Sequence, residues 1–184
     1  MSKRALMTLA LGLVIAGCAA RATNTLPQEK RDALRIDAVD VSYAEGATVQ
    51  WFDAEGGPEE LEAKRAFLRQ KAIGPIKAAL DAEIPAAFRG TDPARLRVRI
   101  REVIIPAAAF RIIVASSPYT IKADIQLIDT KTGKTLVEAP DFQALSQSYG
   151  GIAGIAETAV ADDPIIRVSK AYARAVQTWL KKGF

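Results

Sequence analysis

The sequence has no histidine, and only one cysteine and two methionines occur among its 184 residues. Without histidine, neither a Ser-His-Asp triad nor a Cys-His pair can form, and no imidazole is available to bind a metal. A single cysteine cannot form an intrachain disulfide, so the stability of the chain has to come from packing. These absences exclude the commonest nucleophilic enzymes and the usual zinc sites.

The rest of the composition is typical of one globular domain. Apolar residues make up 49% of the chain and charged residues 25%, which is ample for a core and ordinary for a soluble surface. The length of 184 residues corresponds to one domain, or to one domain plus a processed segment. The formal net charge is +4, from 25 basic and 21 acidic residues.

The first eighteen residues have the pattern of an export signal. Lys3 and Arg4 are followed by an uncharged run, 5–17, that ends at Cys18. A helix of this length, at about 1.5 Å per residue, is too short to cross about 30 Å of hydrocarbon. The pattern therefore predicts a secretory signal peptide instead of a membrane span.

The residues Ile15-Ala16-Gly17-Cys18 resemble the lipobox of bacterial lipoproteins. This resemblance implies that the Cys18 sulfur carries a diacylglyceryl group, that cleavage falls before Cys18, and that the new amino terminus is acylated. Lipoproteins retained in the inner membrane commonly carry Asp after the cysteine, whereas this chain has Ala19. The resemblance thus favours the periplasmic face of the outer membrane over the inner membrane.

Removal of the signal peptide would exclude further kinds of metal and cofactor site. Cleavage leaves 167 of the 184 residues and removes both methionines. The mature chain then has no soft metal ligand, so we expect no metal and no cofactor. Its formal charge falls from +4 to +2 when Lys3 and Arg4 are lost, and this gives no case for binding nucleic acid.

The sequence divides into three parts. Residues 1–17 are the predicted signal peptide, 18–34 the lipidated cysteine and a flexible tether, and 35–184 a single periplasmic domain. The tether is polar and has no clear period. A flexible chain of about sixteen residues spans on the order of 22 Å, which places the domain close to the membrane.

Residues that alternate between apolar and polar predict the strands. Alternation fails at 102–105, which predicts a bulge or a fully buried strand end. The piece 48–52 could pair with the first strand, and 129–134 predicts a hairpin turn before a short strand that ends at Pro140. The predicted strands are 36–43, 48–52, 95–101, 119–129 and 135–139.

Two long helices are predicted, at about 58–80 and 163–182. Gly74-Pro75 predicts a kink or break in the first, and Asp163-Pro164 begins the second. Helical spacing predicts the buried stripes Leu61, Leu68, Ala72, Ile76 and Leu80, and Ile165, Val168, Ser169, Tyr172, Val176, Trp179 and Leu180. The fold class is α+β: a single two-layer sandwich in which a mostly antiparallel sheet of four or five strands is packed by the two helices.

Four arginines are the main candidate ligand-binding residues. Arg95, Arg97, Arg99 and Arg101 alternate with apolar residues, so they share one face of a strand, about 6.6 Å apart. This row could bind the phosphates of lipid headgroups or another anionic envelope polymer. Alternatively, it is a solvated outer face whose arginines pair across strands with acids such as Asp124.

Three other segments are candidate sites. Gly133-Lys134-Thr135 matches the end of a phosphate-binding loop, but Ile128 stands where that loop needs glycine, so a hairpin turn is predicted. The glycine-rich segment 150–154 is either a loop or packing contact, or a segment that becomes ordered on binding a partner. The apolar stretch 107–115 is either core or an exposed patch that faces a partner or membrane.

No catalytic group can be assigned. Carboxylates and hydroxyls remain, but nothing selects a pair of acids for glycoside hydrolysis, and no Ser-x-x-Lys motif is present. We therefore expect no enzymatic activity.

The chain as a whole resembles small lipoproteins of Gram-negative bacteria whose domains have no assigned function. The lipobox, the hairpin 129–133, the glycine-rich loop near 150 and the final helix carry this resemblance, and the order of elements is similar to periplasmic domains of envelope secretion and transport lipoproteins. It implies a non-catalytic interaction module on the outer membrane with an envelope protein as partner. A binder of a lipid or anionic ligand and a carboxylate-based cell-wall hydrolase are the alternatives.

Overall fold

The computed structural model describes residues 23–54, 56–107, 118–146 and 163–183. The signal peptide, Cys18, the segment 150–154 and all of 107–115 except Ala107 lie outside these residues. The described elements, in chain order, are α1 (Gln28–Ala33), β1 (Leu34–Trp51), α2 (Leu61–Ala87), β2 (Asp92–Ile105), β3 (Tyr119–Asp129), β4 (Thr135–Ser146) and α3 (Pro164–Lys182).

The four strands form one mixed sheet in the order β1-β2-β3-β4. β1 is parallel to β2, with α2 as the connection, and the other two pairings are antiparallel. Both α2 and α3 contact the sheet and each other, so the helices cover one face. The predicted class, an α+β sandwich with a mostly antiparallel sheet and two long helices, is confirmed.

The predicted pairing of 48–52 with 36–43 is wrong. Both segments belong to β1, and both pair with β2. The ladder is interrupted between Tyr43 and Thr48, where the chain bulges and then resumes in the same direction. Val39 and Trp51, one in each half of β1, are both buried in the core that the helices cover. A hairpin would have reversed the chain, whereas the bulge keeps both halves beside β2.

The helix α2 begins and ends later than predicted. Glu60 caps it, because its carboxylate accepts the amides of Glu62 at 3.0 Å and Ala63 at 2.6 Å. Leu61, which was predicted to be buried, is 60% exposed at the first turn. The residues buried along the helix are Leu68, Ala72, Ile76, Leu80 and Ile84.

Of the kink or break predicted at Gly74-Pro75, the break is absent, since α2 continues through it to Ala87. Proline normally disfavours helix in the preceding residue by crowding its Cβ, and glycine has none. The buried stripe also continues on both sides of Pro75, with Ala72 before it and Ile76 after it. Burial of this stripe therefore offsets the missing hydrogen bond.

The final helix follows its prediction closely. Asp163 caps α3 by accepting the amide of Ile165 at 3.2 Å, and Gly183 ends it with a left-handed φ of 78°. Every residue of its predicted stripe is buried.

The strand β2 alternates as predicted up to a bulge. Leu96, Val98 and Ile100 are fully buried. Arg101 is the extra residue, because Ile100 pairs with Ala123 and Glu102 already pairs with Lys122. The bulge expected near 102–105 is therefore confirmed, and it lies at the residue before that range.

The hairpin between β3 and β4 is also confirmed. The carboxylate of Asp129 accepts the amides of Lys131 at 2.7 Å and Thr132 at 2.9 Å, and Gly133 takes a left-handed φ of 70°. The strand β4 does not stop at Pro140, however. It bulges between Ala139 and Phe142 and continues to Ser146. Proline is tolerated there because a bulge on an edge strand needs no ladder hydrogen bond from it.

Candidate functional site

The face of the sheet opposite the helices carries the predicted arginine row. The residues that alternate with the arginines are buried under the helices, while Arg99 and Arg101 are exposed and Arg95 and Arg97 are half-buried. We call this surface, formed by the outward residues of β1 to β4, the outer face.

Acids and amides of the neighbouring strands lie beside the arginines. On β1, Asp40 is opposite Arg97. On β3, Gln126 is opposite Arg97 and Asp124 is opposite Arg99. The row is therefore flanked by acids of both neighbouring strands, as the second interpretation of the sequence predicted.

The two ends of the row form ion pairs. Arg95 Nε lies 3.3 Å from an Asp40 carboxylate oxygen, and both side chains are about half exposed. Arg101 Nε donates to Asp124 Oδ1 at 2.8 Å, and this carboxylate is only 20% exposed. The second pair is the more strongly held of the two, because partial burial reduces screening by water.

The bulges of β2 and β4 bring three other charged groups close to Arg101. Asp141, with a left-handed φ of 53°, donates its amide to Asp124 Oδ1 at 3.0 Å. Its own carboxylate lies 3.5 Å from Arg101 Nε and 3.2 Å from Lys122 Nζ. We call Arg101, Lys122, Asp124 and Asp141 the bulge cluster.

The bulge cluster shifts the pKa values of two of its members. Partial burial acts to raise the pKa of Asp124, but hydrogen bonds from Arg101 and the Asp141 amide, with the charges of Arg101 and Arg99, bring it below the usual value. The hydrogen bond and the charge of Asp124 raise the pKa of Arg101. Both groups are therefore ionised at neutral pH.

The centre of the row is less constrained. Arg97 forms no ion pair with any residue that the structure describes, and its neighbour Gln126 donates instead to Glu138 at 3.4 Å. The positive charge of Arg99 helps to lower the pKa of Asp124, and the Arg99 side chain is exposed. The outer face thus presents alternating charges of both signs, with two arginines at its centre available to another molecule.

This arrangement does not favour acid–base catalysis. A glycosidase needs one carboxyl group whose pKa is raised, so that it can donate a proton. Among the described acids, hydrogen bonds from backbone amides lower the pKa of Glu60 and of Asp129. The pKa of Asp124 is lowered as well. No described group of three or more acids or cysteines is placed to hold a metal ion.

Exchange of Asp124 for asparagine should destabilise the fold by about 1 kcal/mol at pH 7, the upper range for an exposed ion pair. The folded-state pKa of Asp124 lies below its usual value, so this contribution is fully present above about pH 5 and is lost as the pH falls through the folded pKa. Urea unfolding at pH 7 and pH 3 measures the difference. Glu138→Gln, on the same face, should change stability by less than about 0.5 kcal/mol at both values, and an equal effect of the two variants would contradict the assignment.

Sequence reasoning missed the partners of the arginines, although it named Asp124. Asp40 and Asp141 become neighbours only through strand pairing and through two bulges. One signal was present: a proline at the end of a predicted strand can mark a bulge on an edge strand, and Pro140 precedes Asp141.

Two other sequence predictions concern Gly133 and Cys18. Gly133 lies in a hairpin turn, which confirms that prediction. Cys18 lies outside the described residues. Within the described parts of the chain, the helices are too short or too polar to cross a membrane.

No protein-family model matches the sequence, and no curated protein matches it. Several solved structures match at low similarity, and three of them illustrate the range. A candidate lipoprotein from Caulobacter crescentus is 18% identical with a TM-score of 0.37, and the match covers 73% of this chain and 91% of that one. The PelC dodecamer from Paraburkholderia phytofirmans is 10% identical with a TM-score of 0.36, and the match covers 85% and 92% of the two chains. A DUF330 protein from Xanthomonas campestris is 12% identical with a TM-score of 0.35, with 88% and 87% covered. Values this low assign neither family nor function.

Proposed function

We propose that this chain is a membrane-anchored, non-catalytic interaction module of the bacterial envelope, serving an assembly, transport or secretion complex. A lipid on Cys18 holds it at the periplasmic face of the outer membrane, and the outer face binds an envelope protein. The observation that carries the proposal is the pattern of alternating fixed charges on a sheet face that the described helices leave bare.

The charge pattern of the outer face favours a protein as the partner. The acids that flank the arginines would repel a polyanion, whereas a protein surface can carry charges of both signs that complement those of the outer face. Charge complementarity of this kind provides specificity and speeds association. Arg97 and Arg99 are the expected contact residues at the centre, since arginine is enriched in protein interfaces.

The N-terminal sequence supports the proposed position in the envelope. The charged start, the short apolar run and the lipobox-like residues 15–18 together support export and lipidation. Two or three acyl chains hold a protein on a membrane stably, at about 0.8 kcal/mol for each buried CH₂. Ala19 in place of Asp supports the outer membrane.

An anionic ligand on the arginine row is the second candidate function. The spacing of the four guanidinium groups along β2 favours it, and Arg97 is available. The ion pairs Arg95–Asp40 and Arg101–Asp124 disfavour it, because a ligand phosphate would have to displace carboxylates already in place. A hydrolase is supported less, since the lowered pKa of Asp124 leaves that acid ionised.

Crosslinking in the cell tests where the partner binds. Ser42 is exposed and pairs with Arg99, so a photoreactive amino acid placed there projects from the outer face. Illumination should yield one or a few crosslinked bands, which mass spectrometry identifies as envelope proteins. The same substitution at Ala78, exposed on α2, should yield at least about fivefold less of each product.

Two results count against the proposal. Equal yields from Ser42 and Ala78 would show that the outer face has no special role. The absence of any envelope protein from the Ser42 products, in cells where the lipidated form is abundant, would contradict a partner protein altogether.

A further inference from the structure

The N-terminal segment, predicted as a flexible tether over 18–34, is fixed to one end of the domain from Asn24 onward. Asn24 is buried, and its Nδ2 donates to the carbonyl oxygens of Trp179 at 3.1 Å and Leu180 at 3.4 Å, near the end of α3. Only residues 19–23 separate Asn24 from Cys18. Fully extended, these residues span roughly 20 Å, so an anchor at Cys18 keeps this end of the domain beside the membrane.

The same end of the domain is rich in basic residues. It contains α1, the ends of α2 and α3, the start of β2 and the turn between β3 and β4. Lys30 lies 3.3 Å from Asp92 there, and the Thr130 amide donates to the Pro93 carbonyl at 3.2 Å. The charged residues of this end are Glu29, Lys30, Arg31, Asp32, Arg89, Asp92, Asp129, Lys131, Lys134, Lys181 and Lys182.

A cavity of about 350 Å³ opens at this end between α1 and the ends of α2 and α3. Of the described residues, three cations, Arg31, Arg89 and Lys181, and one acid, Asp32, line it. The Phe88 ring lines the cavity as well and lies 5.7 Å from Lys181 Nζ. We call this cavity the basal pocket. Its volume is in the range of small-ligand sites.

The cations of the basal pocket are only partly satisfied by the protein. Asp32 accepts a hydrogen bond from Gln28 at 2.7 Å, and among the described residues it forms no ion pair. Arg31 donates through Nη1 to the Leu26 carbonyl and through Nη2 to Gln28 Oε1, each at 2.5 Å, while its buried Nε has no acceptor among the residues that the structure describes. The guanidinium of Arg31 adds its positive charge to the lining of the pocket.

The helix dipoles do not cancel this positive charge. The carboxyl ends of α2 and α3 both lie here, and each carries about half a negative charge. Counted over the part of the chain that the structure describes, three full cations against one acid and two such ends leave the pocket positive. Gly183 leaves the space for the Arg31 guanidinium, because a Cβ there would lie 2.5 Å from Nη1.

We propose that the basal pocket binds the phosphate group of an anionic phospholipid in the membrane that anchors the chain. This inference rests on the proposed function, because the lipid on Cys18 is what brings the pocket to the bilayer. Arg31 and Arg89 supply guanidinium donors and Lys181 an ammonium, and the Phe88 and Leu34 side chains provide an apolar wall for the glycerol and the first methylenes. The domain then rests with this end against the headgroups, and the outer face stands clear at the side.

Native mass spectrometry of the lipidated protein in a neutral detergent tests the pocket, with dioctanoylphosphatidylglycerol as the probe. The wild-type chain should bind one molecule, and Arg89→Gln/Lys181→Gln should weaken binding at least tenfold. Both residues are exposed, so this variant should unfold at the same urea concentration as the wild type. Arg97→Gln/Arg99→Gln removes the same charge from the outer face and should bind the probe as the wild type does.

Each outcome of this experiment decides the question. Equal binding by the three proteins, or equal losses in the two variants, overturns the basal pocket as the site. Displacement of the probe by inorganic phosphate at a similar concentration overturns the phospholipid and identifies free phosphate as the ligand. Labelling of Cys18 with palmitate in the same cells tests the anchor separately, so failure of the pocket and failure of the proposed function can be told apart.

Discussion

Replacement of Cys18 by alanine should abolish the incorporation of labelled palmitate into the protein and remove it from the outer membrane. The thiol is the attachment point that the lipobox-like sequence implies, and the rest of the mature chain contains no other cysteine. A single acyl chain gives only marginal membrane binding, and stable anchoring needs two or more. Loss of all of them should therefore move more than about nine-tenths of the protein out of the outer-membrane fraction.

Two matched variants make this result specific. Ala19→Asp preserves the cysteine, so it should incorporate palmitate as the wild type does but accumulate in the inner membrane. A chain in which an ordinary cleavable signal peptide replaces residues 1–18 should be exported, folded and soluble in the periplasm. Palmitate labelling of Cys18→Ala, or outer-membrane retention of the chain with the ordinary signal peptide, would show that the anchor lies elsewhere.

The parts of the fold that were predicted are those in which a local period repeats one environment. Along 95–101 each second residue meets the same core, and along α3 the helical period does the same, so both burial patterns could be predicted. The hairpin at 129–134 depends on Asp129 and Gly133, whose turn chemistry is local too.

The errors arose where distant parts of the chain compete with a local signal. Pro75 predicts a break and Pro140 predicts a strand end, yet burial on both sides of Pro75 and an edge bulge at Pro140 accommodate them. The parallel pairing of β1 with β2 depends on the return of the chain through α2, which no short segment encodes.

The contrast between local sequence periods and contacts of distant residues also explains which parts of the candidate sites were predictable. The four arginines share a face because of a period of two, and this was predictable. Their partner Asp40 lies more than fifty residues away in the chain, and the basal pocket joins residues 31, 89 and 181. Sites of that kind are defined by the tertiary fold and could not be predicted from composition or spacing.

Gly90 is the position where a single methyl group should damage the fold most. It follows α2, and its amide donates to the Leu34 carbonyl at 2.8 Å. A Cβ at this position would overlap the carbonyl group of Ala33 and lie 2.9 Å from the oxygen of Leu34. These are backbone atoms at the junction of α1 and β1, so no rotamer change can relieve the contact. Gly90→Ala should therefore lower the free energy of unfolding by about 3 kcal/mol, the upper range for an overpacked core.

Urea unfolding at pH 7 checks this value, and Gly74→Ala is the matched control. Outside its chain neighbours and the backbone of its own helix, a Cβ at Gly74 would meet no atom within 4 Å, so the only crowding is with Pro75 and this variant should lose less stability than Gly90→Ala. Because Gly90 is adjacent to Arg89, its replacement should also displace that side chain and weaken binding of the phosphatidylglycerol probe, whereas Gly74→Ala should not. If Gly90→Ala were as stable as Gly74→Ala, the close approach of the α2–β2 connection to β1 would be wrong, and with it the position of Arg89 in the basal pocket.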